Sequence, residues 1–254
     1  MGHIIGVLSG KGGVGKTTTV VNLGVALQKL KKKVVIVEGN LTGSNLGLHL
    51  GLIDYPKTMN QVLNGKLEIT QAVLVHESNI HYIPGSLSIT DAKSVNLKNF
   101  HKQLIRLAKL YDYVLVDGSP GIDERTIKIM RSCEEIIIVT NPEITAVADA
   151  VRVIEVAHKE GVPIRGIVLN KIRYKRYELS LNEIESTSNT AVIGIIPDDQ
   201  SVPQSIASGL PVTMFRPNSG AARAYMGLAQ FITGGSREEK HENFFQKLKE
   251  WLIG

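Results

Sequence analysis

The 254-residue sequence holds a single cysteine, Cys133, and a single tryptophan, Trp251. One thiol excludes an internal disulfide framework and a thiolate cluster built by one chain, and it fits a reducing compartment. Long apolar runs are missing too. Stretches such as Ile136-Ile137-Ile138-Val139 end after a few residues, well short of the roughly 20 that span a bilayer. Neither sign of charge dominates, since Lys+Arg 29 against Asp+Glu 24 leaves +5. Nucleic-acid proteins cluster their cations on one face, so this balance alone does not mark one. Met1-Gly2-His3-Ile4-Ile5 passes straight into a strand-like run, without the basic segment, apolar core and cleavage site of a leader, so a cytoplasmic protein is expected. The seven histidines show no H-E-x-x-H or similar spacing, and no structural zinc is expected. A content of 43% hydrophobic and 21% charged residues is left, which excludes disorder.

Apolar, β-branched runs of strand length recur at 4–8, 33–37, 80–83, 113–116, 136–140, 164–169 and 192–196. Helix-length amphipathic segments lie between most of them, at 17–30, 97–109, 123–133 and 145–160. This alternation predicts an α/β fold, a mostly parallel twisted sheet with helices on both faces. At Thr233-Gly234-Gly235-Ser236 the composition changes to small, hinge-like residues, then to a charged string and a segment rich in Phe, Leu and Trp. The expected organisation is a globular domain at 1–233, a linker at 234–240 and a terminal helix at 241–254.

Gly10-Lys11-Gly12-Gly13-Val14-Gly15-Lys16-Thr17 fits G-x-x-x-x-G-K-[ST] and sits after a buried strand and before a helix, as a phosphate loop must. Its glycines allow successive backbone N–H groups to turn onto phosphates, and the helix adds the positive end of its dipole. Lys16 is expected to reach the β and γ phosphates of ATP and the Thr17 hydroxyl to coordinate Mg²⁺, with Thr18 next along the nucleotide-binding segment.

Lys11 makes the pattern K-G-G-x-G-K-T, and here the sequence resembles the deviant Walker-A ATPases, the group that includes MinD, ParA and the nitrogenase iron protein. The resemblance implies that Lys11 crosses to the phosphates of a partner subunit in an ATP-dependent homodimer. It also implies that Asp117, ending Tyr113-Val114-Leu115-Val116-Asp117, holds Mg²⁺ through water, and that the N–H of Gly121 in Gly118-Ser119-Pro120-Gly121 senses the γ-phosphate. Thr140-Asn141-Pro142-Glu143 matches the MinD-like segment after the next strand. Asn170-Lys171 and Pro197-Asp198-Asp199 correspond to the segments that hold adenine. One departure matters. Where the family carries D-x-D after the second strand, this chain has Glu38-Gly39-Asn40. Lys11, Lys16, Glu38 and Asn40 are therefore the candidate catalytic set. Asn40 can hydrogen-bond a water but cannot accept its proton, so slow hydrolysis is expected, and a non-hydrolysing ATP-dependent scaffold is an alternative.

On a helix of about 100° per residue, Phe244, Phe245, Leu248, Trp251 and Leu252 fall within roughly a third of a turn, with Lys247 and Lys249 roughly 40° beyond its edges. Lysines flanking an apolar stripe can snorkel to anionic headgroups. The segment resembles the membrane-targeting helix of MinD, which implies a protein peripheral to the inner face of the cell membrane. The resemblance further implies a regulatory or cargo protein as partner and a role in positioning cell-division or polar machinery. A ParA-type DNA-partitioning function is the other alternative, served by Lys29 and Lys31-Lys32-Lys33. It is disfavoured because lysines at a helix end are mostly solvated and compensate the dipole. A metal-cluster carrier is disfavoured by the single Cys133.

Overall fold

The computed structural model describes residues 1–88 and 96–234. Its framework is an eight-stranded sheet in the order β3-β4-β2-β5-β1-β6-β7-β8. The strands are β1 His3–Ser9, β2 Val34–Glu38, β3 Leu74–Val75, β4 His81–Ile83, β5 Tyr113–Pro120, β6 Glu135–Thr140, β7 Ile164–Ile172 and β8 Val192–Pro197. All neighbours pair in parallel except β3 with β4. Only five residues separate β3 from β4, too few for the crossover that a parallel pair needs. The two-residue β3 was not expected from sequence, because so short and half-exposed a run carries no apolar signal.

Helices cover both faces: α1 Lys16–Lys29, α2 Leu46–His49, α3 Met59–Leu63, α4 Ile69–Ala72, α5 Phe100–Ala108, α6 Glu124–Met130, α7 Ile144–Lys159, α8 Leu181–Ser188, α9 Ser201–Ala207, α10 Val212–Phe215 and α11 Gly220–Gly234. The predicted 97–109 helix is divided into a 3₁₀ turn, Leu97–Asn99, and α5. Alternate residues of each strand feed opposite cores. Ile4 and Leu8 of β1 join Phe100, Leu104 and Val153 on one face. Ile5 and Val7 join Leu23, Leu27, Tyr225 and Leu228 on the other. Because both faces are covered, the strands read as nearly continuous apolar runs. Helix α1 is buried almost all round, since it lies between the sheet and α11.

Strand β1 lies between β5 and β6, with β2, β4 and β5 to one side and β6, β7 and β8 to the other. In open α/β sheets a crevice forms at the carboxyl ends of the strands where the direction of winding reverses. The loops following β1, β2, β5, β6, β7 and β8 meet at that edge. Helix α11 continues through Gly234, the last described residue. The expected linker beyond Gly234 and the stripe Phe244, Phe245, Lys247, Leu248, Lys249, Trp251 and Leu252 lie outside the described residues.

Leu23 is fully buried between α1 and the sheet. Leu23→Ala is expected to cost about 2–5 kcal/mol, read as a lower urea midpoint. The folded fraction should keep its nucleotide affinity, because residue 23 lies more than a turn beyond the phosphate loop. An unchanged midpoint would mean that α1 is not clamped as described.

Candidate functional site

The loop between β1 and α1 is shaped by backbone that side chains would block. Gly15 has φ +93°, and a Cβ there would meet Asn170 Nδ2 at 2.0 Å. At Gly10 a Cβ would meet the Asp149 carbonyl oxygen at 2.3 Å, so the loop rests directly on α7. Asn170, at the end of β7, donates Nδ2–H to the Val14 carbonyl at 2.7 Å, and Lys171 donates Nζ–H to the Gly13 carbonyl at 2.8 Å. With its carbonyls held in this way, the loop keeps its shape. The first turn of α1 carries no acidic residue, which leaves its positive end to an anion.

Lys16 extends from this turn to Asp117 at the end of β5, with Nζ 3.1 Å from Oδ1 and the side chains only 10% and 1% exposed. The other oxygen, Asp117 Oδ2, is buried without a hydrogen-bond partner. A buried carboxylate oxygen left open fits a group supplied with the ligand, and a Mg²⁺-bound water is of the right chemistry. Thr17 lines the same cleft. Thr17 and Asp117 are thus the residues that would hold Mg²⁺, which supplies charge neutralisation at the phosphates.

Glu38 is fully buried at the end of β2 and is in register with Asp117. Oε2 accepts from Ser44 Oγ at 2.8 Å and from the Asn45 and Leu46 N–H groups at 3.0 Å each, while Oε1 accepts from the Asn40 N–H at 3.1 Å. Glu38 therefore organises the 40–46 loop, and both of its oxygens are occupied in doing so. Burial, helped by the Asp117 carboxylate, pushes its pKa up to about 8 against the pull of the Leu46 N–H and the Ser44 hydroxyl. The side chain of Asn40 faces the cleft but is also engaged. Its Nδ2 donates to the Gly43 carbonyl at 2.7 Å, and its Oδ1 accepts from Ser119 Oγ at 3.3 Å.

A cleft of about 580 Å³ gathers the residues expected from sequence: Lys11 to Thr18, Asn40, Asn170, Lys171, Pro197, Asp198 and Asp199. Several of the expected residues are engaged by the protein itself. Gly10 does not line the cleft but packs on Asp149. The Gly121 N–H donates to the Ser9 carbonyl at 2.9 Å, so in this state it is not aimed at a phosphate. The side chains of Asn170 and Lys171 support the phosphate loop rather than standing free for a base. Asp199 accepts from Ser201 Oγ at 2.5 Å and from the Ala221 N–H at 3.0 Å, so its carboxylate ties α9 to α11. Burial alone would raise the Asp199 pKa, but those donors outweigh it and hold it below the usual carboxylate value.

Sequence reasoning missed His49, whose Nε2 is 3.2 Å from Thr18 Oγ1 and whose pKa burial lowers. It also missed the apolar wall made by Val202, Pro203 and Ile206 of α9. The spacing of Val202 and Ile206, one helical turn apart directly after β8, was the available signal.

A carboxyl with a raised pKa favours the folded state below its unfolded value of 4.5, and that contribution is lost as pH rises through about 8. Nucleotide-free protein should therefore lose roughly a few kcal/mol of stability between about pH 5 and about pH 8 relative to Glu38→Gln. Urea titrations at several pH values check this. Parallel pH profiles for the two proteins would show that Glu38 is already ionised in the free fold.

Comparison with known proteins agrees with this geometry. Residues 1–233 match the ParA family model, described as a NUBPL iron-transfer P-loop NTPase. An uncharacterized ATP-binding protein of Methanocaldococcus jannaschii is 33% identical over 258 residues, covering 100% of this chain and 98% of its own length. The septum site-determining protein MinD of Thermotoga maritima is 33% identical over 246 residues, covering 92% and 89%. The solved MinD of Pyrococcus horikoshii, complexed with Mg-ADP, superposes with a TM-score of 0.86 at 32% identity over 91% of this chain and 96% of that one. With the phosphate loop, the Lys16–Asp117 pair and the open Asp117 oxygen all on one sheet edge, the chain belongs to the MinD/ParA family of P-loop ATPases and binds ATP with Mg²⁺.

Proposed function

We propose that this protein is an ATP-dependent dimerising switch of the MinD type, which sits reversibly on the cytoplasmic membrane face and positions cell-division or polar machinery through a regulatory or cargo partner. The observation that carries this reading is the position of Lys11. Its Nζ does not enter the chain's own phosphate cradle but rests at the rim, 3.4 Å from Glu143 Oε2 and 3.5 Å from Thr145 Oγ1. An exposed pair of this kind contributes little stability and leaves the lysine available to another subunit. Beside it, Ile144 is 72% exposed and Ile122, after the β5 loop, is 42% exposed. Apolar side chains next to a phosphate-seeking lysine fit a face that a second copy covers.

Within one subunit, the cleft divides by chemistry. Lys16 and the loop N–H groups take the phosphates, and Pro197, Val202, Pro203 and Ile206 offer the apolar surface that a base needs. The iron-transfer part of the family description finds no support at Cys133. This thiol is buried, donates to the Ile129 carbonyl at 3.4 Å, and has its pKa pushed up to about 12 by burial. An inert core thiol is a poor iron ligand.

Membrane attachment rests on the stripe from Phe244 to Leu252. One short tail binds lipid weakly, while two held together by a dimer bind with multiplied effect. ATP then controls membrane occupancy. Trp251, the chain's only tryptophan, reports this directly. Its emission should shift to the blue on anionic vesicles with ATP and far less with ADP, and Lys11→Ala should abolish both the ATP-dependent dimer and the shift. Equal spectra in the two nucleotide states, or an undiminished dimer in the variant, would overturn the reading.

Asn40→Asp tests the departure from D-x-D. A carboxylate keeps the bond from Ser119 and can orient the attacking water, but it loses the bond to the Gly43 carbonyl. Hydrolysis should rise by about ten-fold, short of the hundredfold or more that a well-placed base supplies. An unchanged rate would place water activation elsewhere.

A further inference from the structure

Helices α1 and α11 pack side by side on one face of the sheet and run the same way. Helix α1 begins at the phosphate loop. Helix α11 begins beside Pro197 at the end of β8, where a Cβ on Gly220 would meet Pro197 Cγ at 3.2 Å. They span 14 and 15 residues and so finish together at the opposite edge. There the Ile232 carbonyl accepts from Arg165 Nη2 at the start of β7. Gly234, the last described residue, therefore lies at the edge where α1 delivers Lys29, Lys31, Lys32 and Lys33.

These four lysines border one broad groove of about 710 Å³. Among the described residues none of them forms an ion pair. The Lys29 ammonium bonds the Thr213 carbonyl. The nearby carboxylate of Asp112 accepts from the Lys33 N–H at 2.8 Å and fixes the turn. Lys31 sits at φ +63°, a left-handed position that costs a non-glycine residue strain. The same groove is bordered by Leu110 and Met214, both exposed. Compensation of the α1 dipole needs one cation in the last turn, and Lys29 already supplies it.

We propose that this lysine edge is a second membrane contact, which lies on anionic lipid headgroups and fixes the orientation of the domain. It rests on the reading of the tail as a lipid anchor. The tail's own charges nearly cancel, with Arg237, Lys240, Lys247 and Lys249 against Glu238, Glu239, Glu242 and Glu250. Selectivity for anionic lipid must then come from elsewhere, and the edge at which Gly234 lies carries cations that have no ion pair among the described residues. Lysines at an anionic surface attract it at short range, within a Debye length. The nucleotide cleft, at the far end of α1, stays clear of the bilayer.

The test is sedimentation of the full chain with ATP on vesicles of phosphatidylcholine alone or mixed with phosphatidylglycerol. Three proteins are compared: wild type, Lys31→Ala/Lys32→Ala, and Phe245→Glu/Trp251→Glu. The lysine variant should bind mixed vesicles roughly ten-fold or more weakly, lose most of its salt dependence, and keep the wild-type ATP affinity. If it binds as wild type does while the tail variant fails, the lysine edge is overturned and the tail reading stands. If the tail variant binds normally and the lysine variant does not, the tail reading falls and the edge remains as a lipid site. Failure of the wild type on both vesicles removes both. Retention of a DNA duplex that the lysine substitutions abolish, without loss of lipid binding, would assign the edge to nucleic acid and overturn the proposal.

Discussion

Two buried carboxylates and one buried lysine occupy the centre of the nucleotide edge, and most of the site's behaviour follows from that imbalance. Asp117 is paired with Lys16, while Glu38 sits next to it in sheet register with only hydrogen-bond donors around its oxygens. A low-dielectric environment makes an excess negative charge costly, which is why the Glu38 pKa is pushed up to about 8. The open oxygen of Asp117 points to how the imbalance is relieved. A divalent cation brought with the phosphates adds positive charge at the place where the free protein lacks it, so Mg²⁺ and nucleotide are favoured together.

The loops along the nucleotide edge are joined to this centre by short, breakable links. Glu38 gathers Ser44, Asn45 and Leu46, Asn40 connects the same loop to Ser119, and the Gly121 N–H is held by Ser9. In this arrangement Asn40 ties the 40–46 loop to the end of β5 through two hydrogen bonds, its N–H donating to the Asp117 carbonyl at 3.2 Å and its Oδ1 accepting from Ser119 Oγ at 3.3 Å. Any ligand that draws Gly121 toward a phosphate has to release Ser9, the residue just before the phosphate loop. Such a movement would exchange hydrogen bonds between neighbouring segments and leave the sheet beneath fixed.

Much of this was legible in the sequence because parallel strands buried on both faces leave long apolar runs, and because ligand-holding loops follow those runs directly. The seven strands from 4–8 to 192–196 and the α1 and α7 helices all stand within a few residues of their expected places. The chain from 181 to 234 was harder to read. Helix α8 announces itself only through the Ser180 and Glu183 capping box, and the buried face of α11, Ala221, Ala222, Tyr225, Leu228, Ala229 and Ile232, is built half of alanines, which carry a weak apolar signal. Roles were less legible than places. Nothing in the letters Asn170 or Asp199 distinguishes a side chain that touches a ligand from one that holds the loop that does. That distinction depends on which donors the fold brings within 3 Å.

Helix α1 links the two ends of the molecule. Its 14 residues rise roughly 21 Å, from the backbone N–H groups of the phosphate loop to Lys29, and Leu23 and Leu27 clamp its middle against the sheet and α11. A helix clamped in this way resists bending, so the geometry at one end is imposed on the other without any moving part. Together with α11, which runs alongside it, this fixes where Gly234 lies relative to the nucleotide face. Gly234 and Lys11 then lie at opposite edges of one rigid layer, separated by the length of α1.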